Sequence, residues 1–255
     1  DLIDNNIASD YSKIKKIFYI NNSPENQQKL NEIITNEETT AAITKKYSFE
    51  RDFTPDDFVS LLFYNGMLTI KEAGLSRITF RIPNYVIKEI YWSFFASLIE
   101  QNIRINSDKV STAVENLAMN NNMQGWVAEI ENILDLLSNR DYQNFDEKYI
   151  KMLFITLASL TQLYIIKSEA EVTGEYPDLM YLFRKPNRVK YQFLIELKYL
   201  KKSESKKLAK TMEIAKEQVT RYLQKSEISE LENLKAYAVV FVGKKANFVA
   251  VESKI

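Results

Sequence analysis

The spacing of apolar residues predicts two regions of different architecture in this chain. In residues 1–48, and again in 85–140, apolar side chains recur every three or four residues, as they do along one face of a helix. Between these stretches, a capped helix that starts at Pro55 is followed by two short alternating segments around a turn at 72–74. A helix followed by a hairpin is compatible with a winged-helix-like unit, which docks onto proteins as often as it binds DNA. We therefore expect a helical, winged-helix-like N-terminal domain over residues 1–140.

Beyond residue 140 the pattern changes to a mixture of helices and strands. The predicted order is an apolar helix, three strands, a lysine-rich helix and two final strands. These elements are a helix at 149–163, strands at 164–172, 178–183 and 191–200, a helix at 206–225, and strands at 236–242 and 247–251. The order αβββαββ is self-consistent, so we expect a second domain over residues 141–255. The predicted fold class is a two-part chain, α+β followed by α/β.

Two residue types that serve many active sites are missing from the chain. It contains no cysteine, which excludes disulfides, thiolate nucleophiles and zinc sites built on sulfur. It contains no histidine, which excludes Ser-His-Asp hydrolases and metal sites built on imidazole. Any chemistry must therefore use carboxylates, lysine, tyrosine or a hard metal ion bound through oxygen. The 34 basic and 34 acidic residues cancel, so a nucleic-acid surface must be a local patch.

Glu196 and Lys198 stand two residues apart in an apolar strand, so their side chains project from the same face. An acid in a strand that is covered on both faces is costly unless a partner or a metal ion compensates its charge. Asp178 starts the preceding strand and lies beside Glu196 if the two strands pair across the turn at 184–187. Glu171, on the strand before, can complete a group of three carboxylates. Such a group attracts a divalent ion, and ligation by oxygen alone favours Mg²⁺ or Mn²⁺.

Each of these residues also has a simpler interpretation. Glutamate and lysine in alternation are common on the solvated face of a strand, and an aspartate after Pro177 can merely begin one. Glu169 lies on the same strand face as Glu171 and competes with it for the role of third acid. Only the combination, on consecutive strands, favours a site.

The sequence Pro177-Asp178, seventeen further residues and then Glu196-Leu197-Lys198 follows the PD-(D/E)xK pattern. It resembles the restriction-endonuclease-like nuclease superfamily. Two further motifs, Glu171-Val-Thr-Gly174 and Gln218-x-x-x-Tyr222, resemble one bacterial family within it, in which the nuclease-like domain follows a predicted AAA-type ATPase-like region. The segments 60–70 and 81–84 are similar to the end of that region.

The resemblance implies a role for each matching residue, a metal cofactor and a substrate. The metal ligands would be Asp178, Glu196 and the upstream acid Glu171, with Lys198 as the catalytic lysine and Gln218 as an accessory active-site residue. The implied cofactor is Mg²⁺ or Mn²⁺, and the implied substrate is DNA.

The chain departs from the family pattern at one point. Ahead of the aspartate the family usually has a glycine/arginine-rich run, whereas this chain has Gly174-Glu175-Tyr176-Pro177, which leaves open how a phosphate is contacted there. The chain also has no Walker A sequence, so an ATPase domain either lies upstream in the same polypeptide or was never present.

The segment that follows Lys198 is rich in lysine. Lys201, Lys202, Lys206 and Lys207 are candidate contacts to a phosphate backbone, because they leave the strand that carries the predicted site. A solvated helix face explains them equally well.

We expect a divalent-metal-dependent nuclease that hydrolyses DNA phosphodiester bonds. One alternative is a regulatory or protein-interaction module that keeps a nuclease fold without catalysis. Another is a protein that binds DNA only through its N-terminal hairpin. The chain has no apolar run of transmembrane length and no signal peptide, so we expect no membrane partner and a cytoplasmic location. Because the first residue is Asp1, we expect a fragment of a longer protein.

Overall fold

The computed structural model describes residues 5–20, 23–47, 52–102, 105–136, 146–168 and 172–252. The chain divides into two units, Asp1–Leu98 and Ile99–Ile255. This division lies ahead of the domain boundary expected at residue 140. That boundary falls outside the described residues and stays a prediction.

The N-terminal unit packs helices against a small antiparallel sheet. Its elements are α1 (Asn5–Ile20), α2 (Pro24–Asn36), β1 (Glu38–Ala41), α3 (Pro55–Tyr64), β2 (Thr69–Ala73), β3 (Ile78–Arg81) and the greater part of α4 (Tyr85–Asn102). The strand order is β1-β3-β2. At the start of α3, Thr54 and Asp57 cap each other's backbone amides, as the sequence predicts for a helix that begins there.

The strand β1 corrects the expectation that residues 1–48 are helical throughout. Glu37 adopts a left-handed conformation, with φ of 58°, which ends α2. Two β-branched residues follow, and buried Thr39 lies opposite Phe80 of β3. Four residues are too few to show the alternation of a strand. Helix α3 and the hairpin of β2 and β3 are present, but the turn lies at 74–77 rather than at the predicted 72–74, because Glu72 and Ala73 continue β2. The winged-helix interpretation stays a prediction.

The C-terminal unit contains the predicted helix, three strands, helix and two strands in that order. Its described elements after α4 are α5 (Ser107–Asn120), α6 (Met123–Leu136), α7 (Glu147–Ser159), β4 (Tyr164–Ser168), β5 (Leu179–Phe183), β6 (Gln192–Leu200), a 3₁₀ helix (Lys202–Lys207), α8 (Leu208–Leu223), α9 (Ser226–Ser229), β7 (Leu234–Val242) and β8 (Lys245–Val251).

The five strands form one mixed sheet with the order β4-β5-β6-β7-β8. The strands β6 and β7 are parallel, and the other neighbours are antiparallel. A parallel pair needs a crossover connection, which α8 provides. In the register of β5 and β6, Leu179 lies opposite Ile195. Asp178, one residue before β5, is thereby placed next to Glu196.

The central strand β6 is buried on both faces, and the two faces differ. One face is aromatic: Phe193 lies edge-on to Tyr164, and the Tyr181 hydroxyl donates to the Phe154 carbonyl of α7 at 2.9 Å. On the other face, Leu194 packs with Val219 and other apolar residues of α8. Because side chains alternate along a strand, Glu196 and Lys198 share the face of Leu194.

Candidate active site

Asp178 and Glu196 lie next to each other: Asp178 comes just before β5, and Glu196 is its neighbour on the adjacent strand β6. Asp178 is 8% exposed and Glu196 is 2% exposed, so the alternative of a solvated strand face is wrong for Glu196. Asp178 Oδ2 accepts a hydrogen bond from the Leu197 amide at 2.9 Å. This bond fixes the carboxylate of Asp178 against the strand that carries Glu196.

Lys198 contacts both acids. Its Nζ lies 2.7 Å from Glu196 Oε1 and 3.7 Å from Asp178 Oδ2. Burial acts to lower the pKa of Lys198, but the negative charges of Glu196 and Asp178 outweigh it and raise the pKa above its usual value. Lys198 is therefore an ammonium at neutral pH, and it is suited to stabilise negative charge rather than to remove a proton.

Only one of the two carboxyl oxygens of Glu196 has a hydrogen-bond partner among the described residues. Its Oε2 is buried and has no hydrogen-bond partner among the described residues. Burial and, next, the charge of Asp178 raise the pKa of Glu196 to about 7, although Lys198 opposes the shift. A buried carboxylate oxygen without a partner is costly, and a bound cation would remove that cost.

Helix α7 adds two charged residues that the sequence did not single out. Glu147 stands in the first turn, after the N-cap Asp146, and its Oε1 lies 3.8 Å from Lys198 Nζ. Lys151, one turn later, is buried, and its Nζ lies 3.0 Å from Asp178 Oδ1. The one signal in the sequence is that Lys151 interrupts an otherwise apolar run.

The five residues Glu147, Lys151, Asp178, Glu196 and Lys198 form what we call the acid–lysine cluster. Burial is the main cause that raises the pKa of Glu147, and the charge of Asp178 adds to it, while Lys198 and Lys151 act against it. Three acids and two lysines thus lie close together, and the pKa values of Glu147, Glu196 and Lys198 depend on their charged neighbours.

Helix α8 places both residues of its motif on the sheet side. Gln218 Oε1 is buried and has no hydrogen-bond partner among the residues that the structure describes. Tyr222, one turn later, is 3% exposed. Burial raises the pKa of Tyr222, and the charges of Glu196 and Asp178 raise it further, so its ring lies within their electrostatic reach. The role predicted for Gln218 stays a prediction.

The predicted third acid Glu171 and its competitor Glu169 lie outside the described residues. The turn that follows them, at 172–175, is described, and its side chains contact the end of α8 and the residues that follow it. Glu175 Oε1 lies 3.7 Å from both Arg221 and Lys225, and Thr173 donates to Glu227 at 2.7 Å. Glu175 stands where the family pattern has a basic residue. Its negative charge is paired with two cations, Arg221 of α8 and Lys225 just after it.

The four candidate phosphate contacts lie in or next to the 3₁₀ helix after β6. We call residues 201–207 the lysine segment; all four of its lysines are exposed. Lys207 pairs with Glu204 at 2.7 Å. Lys202 and Lys206 form no ion pair within the described part of the chain. Lys201 also forms no ion pair there, so three exposed cations are available to a ligand just after β6.

The geometry fits a metal ion held by few protein ligands. Among the described residues, no group of three or more acidic side chains is arranged to hold a metal ion. The carboxylates of Asp178 and Glu196 would nevertheless hold one, because they are neighbours across β5 and β6 and Glu196 Oε2 is buried without a hydrogen-bond partner among the described residues. Mg²⁺ commonly binds through one or two carboxylates and keeps several waters.

A comparison with known families agrees with this geometry. A family model described as the PD-(D/E)XK nuclease superfamily matches residues 145–251. This part of the chain is similar to that superfamily. The match begins just before α7 and ends with β8, so it includes the whole acid–lysine cluster.

The comparisons do not extend to the N-terminal half. Residues 1–144 lie outside the family match, so their likeness to an ATPase-like region stays a prediction. A search of curated proteins found no match. Among the described helices, none combines the length and the apolar character that crossing a membrane requires.

Proposed function

We propose that the C-terminal unit is a nuclease that hydrolyses DNA phosphodiester bonds with Mg²⁺ or Mn²⁺. The observation that carries this proposal is the convergence of Asp178 Oδ2 and Glu196 Oε1 on the Lys198 ammonium, with the second Glu196 oxygen buried and without a hydrogen-bond partner among the described residues. The similarity of residues 145–251 to PD-(D/E)XK nucleases supports it.

Each residue has a distinct part in this proposal. Asp178 and Glu196 hold the ion, which would supply Lewis-acid stabilisation of charge on the scissile phosphate. Lys198 orients the attacking water and stabilises charge that develops on the phosphate oxygens. Glu147, the less buried acid on α7, lies beside Lys198, and Gln218 is the proposed accessory residue.

The lysine segment is the proposed contact to the DNA backbone. Lys202 and Lys206 follow β6 directly and have no acidic partner within the described residues. Contacts to phosphate set the position of a duplex without reading its sequence. No described feature favours recognition of a particular base sequence.

One observation favours a second candidate function. Lys151 and Lys198 already compensate Asp178 and Glu196 without any metal ion. A nuclease fold of this kind can serve as a regulatory or protein-interaction module with no catalysis. This candidate predicts that Mn²⁺ does not bind at the acid–lysine cluster.

A cleavage assay separates the two candidates. Supercoiled and linear DNA would be incubated with Mg²⁺ or Mn²⁺ and with the wild type, Asp178→Asn or Lys198→Met. We expect the wild type to nick or cut DNA and both variants to lose at least about a hundredfold in rate. Lys109→Met, an exposed lysine on α5, is the control and should cleave like the wild type. Equal cleavage by all four proteins would overturn the assignment.

A further inference from the structure

Lys151 is a buried lysine whose ammonium group points at an acid of the candidate site. It is 4% exposed, and its Nζ lies 3.0 Å from Asp178 Oδ1. A buried ammonium is costly unless a paired charge compensates it, so this contact is part of the folded state. Lys198 differs, because its side chain is 20% exposed.

The two oxygens of Asp178 therefore have different surroundings. Oδ1 is held by Lys151. Oδ2 accepts the Leu197 amide and has the more exposed Lys198 at 3.7 Å. Only Oδ2 lies on the side of Lys198, whose ammonium also contacts Glu196.

Active sites with two metal ions place them about 3.5–4 Å apart and use carboxylates that can serve both ions. A bridging carboxylate gives one oxygen to each ion. In this chain the second oxygen of Asp178 already faces a fixed positive charge. The cluster also holds three carboxylates and two ammonium groups, which leaves one net negative charge when all five are ionised, too little for two divalent ions.

We propose that Lys151 stands in the place of a second metal ion, so that the site takes a single divalent ion at Asp178 Oδ2 and Glu196. Lys151 is then a positioning residue, because it fixes the Asp178 carboxylate and keeps Oδ1 from a second ion. This inference rests on the proposed function, since it presumes that the cluster binds a metal ion.

The test is the number of Mn²⁺ ions that the full chain binds, measured by the EPR signal of free Mn²⁺ and by calorimetry. We expect one ion for the wild type. In Lys151→Met the freed Oδ1 and the lost positive charge should admit a second ion, or tighten the first by about tenfold or more. Lys151→Arg keeps the cation and should still bind one ion. Lys148→Met changes an exposed lysine of the same helix and should bind like the wild type.

The outcomes distinguish this inference from the function on which it rests. Two Mn²⁺ ions bound to the wild type would overturn the inference about Lys151. A Lys151→Met protein that binds the same number of Mn²⁺ ions with the same affinity as the wild type would also overturn it. No ion on the wild type would overturn the metal-dependent function itself. If circular dichroism shows that Lys151→Met does not fold, Lys151→Gln replaces it. The amide of glutamine can still hydrogen-bond to Asp178 but carries no charge. The number of bound Mn²⁺ ions and their affinity then decide in the same way.

Discussion

Two groups of charged residues follow one another along the chain, and they differ in burial. In the acid–lysine cluster, which is formed by α7 and the sheet, the charges compensate one another at 2.7–3.8 Å. The lysine segment is exposed to solvent. Charges of the first kind interact strongly and cannot be changed singly without cost, whereas those of the second are screened by water and salt.

The largest effect should come from removing one partner of the buried pair. Asp178→Ala leaves the ammonium of Lys151 buried without its carboxylate, and we expect the free energy of unfolding to fall by about 3–5 kcal/mol. Denaturation by urea without metal ions measures it.

A double variant tests the cause of that loss. Asp178→Leu combined with Lys151→Met replaces the pair by apolar groups and should recover most of the stability. Glu204→Ala in the lysine segment should change the unfolding free energy by less than about 0.5 kcal/mol. Equal losses in the single and double variants would show that the buried charge is not the cause.

A smaller effect should appear in the pH dependence of the metal-free protein. The folded-state pKa of Glu196 is about 7, above its usual value of 4.5, so the folded state holds a proton that the unfolded state releases. The stability from this group is full below pH 4.5 and falls as the pH rises to about 7, by about 3 kcal/mol in total.

Glu196→Gln should remove this dependence, because glutamine does not titrate. Urea denaturation at pH 4.5, 6 and 7.5 compares the two proteins. Parallel stability curves for wild type and variant would contradict the assignment of the pH effect to Glu196. Glu230→Gln, at an exposed acid just after α9, is the matched control and should keep the wild-type curve.

The smallest effect on stability should come from the lysine segment, where the effect on binding is the informative one. Lys202→Ala combined with Lys206→Ala should leave the unfolding free energy within about 0.5 kcal/mol of the wild type. DNA binding should weaken, and the slope of log K against log salt should fall by about 2.

Within the same segment, Lys207 provides the control. Its charge is already neutralised by Glu204, so Lys207→Ala should change the salt slope less than either free lysine does. Fluorescence anisotropy with a labelled duplex at several salt concentrations measures the salt slope of the wild type and of each variant. An unchanged slope in the double variant would show that the segment is only a solvated surface.

The part of the site that lies on the strands could be predicted from the sequence, because it depends on local geometry. The alternation along β6 puts Glu196 and Lys198 on one face, and the antiparallel pairing of β5 with β6 brings Asp178 beside them. The order of elements in the C-terminal unit followed from apolar spacing in the same way.

The part of the site that lies on α7 could not be predicted. Glu147 and Lys151 reach the cluster only because of where α7 packs on the sheet, and the spacing of residues within a helix carries no information about that. The strand β1 was missed for a different reason, since four residues are too few to reveal a period. The predicted role of Glu171 remains untested.

The most direct test of the central claim is a crystal structure of the protein soaked with Mn²⁺, with the ion located by its anomalous scattering. We expect one peak about 2.1 Å from a carboxylate oxygen of Asp178 and from one of Glu196, with the ammonium of Lys151 still on Asp178 Oδ1. A map with no peak between these two carboxylates, in crystals where Mn²⁺ binds elsewhere, would contradict it.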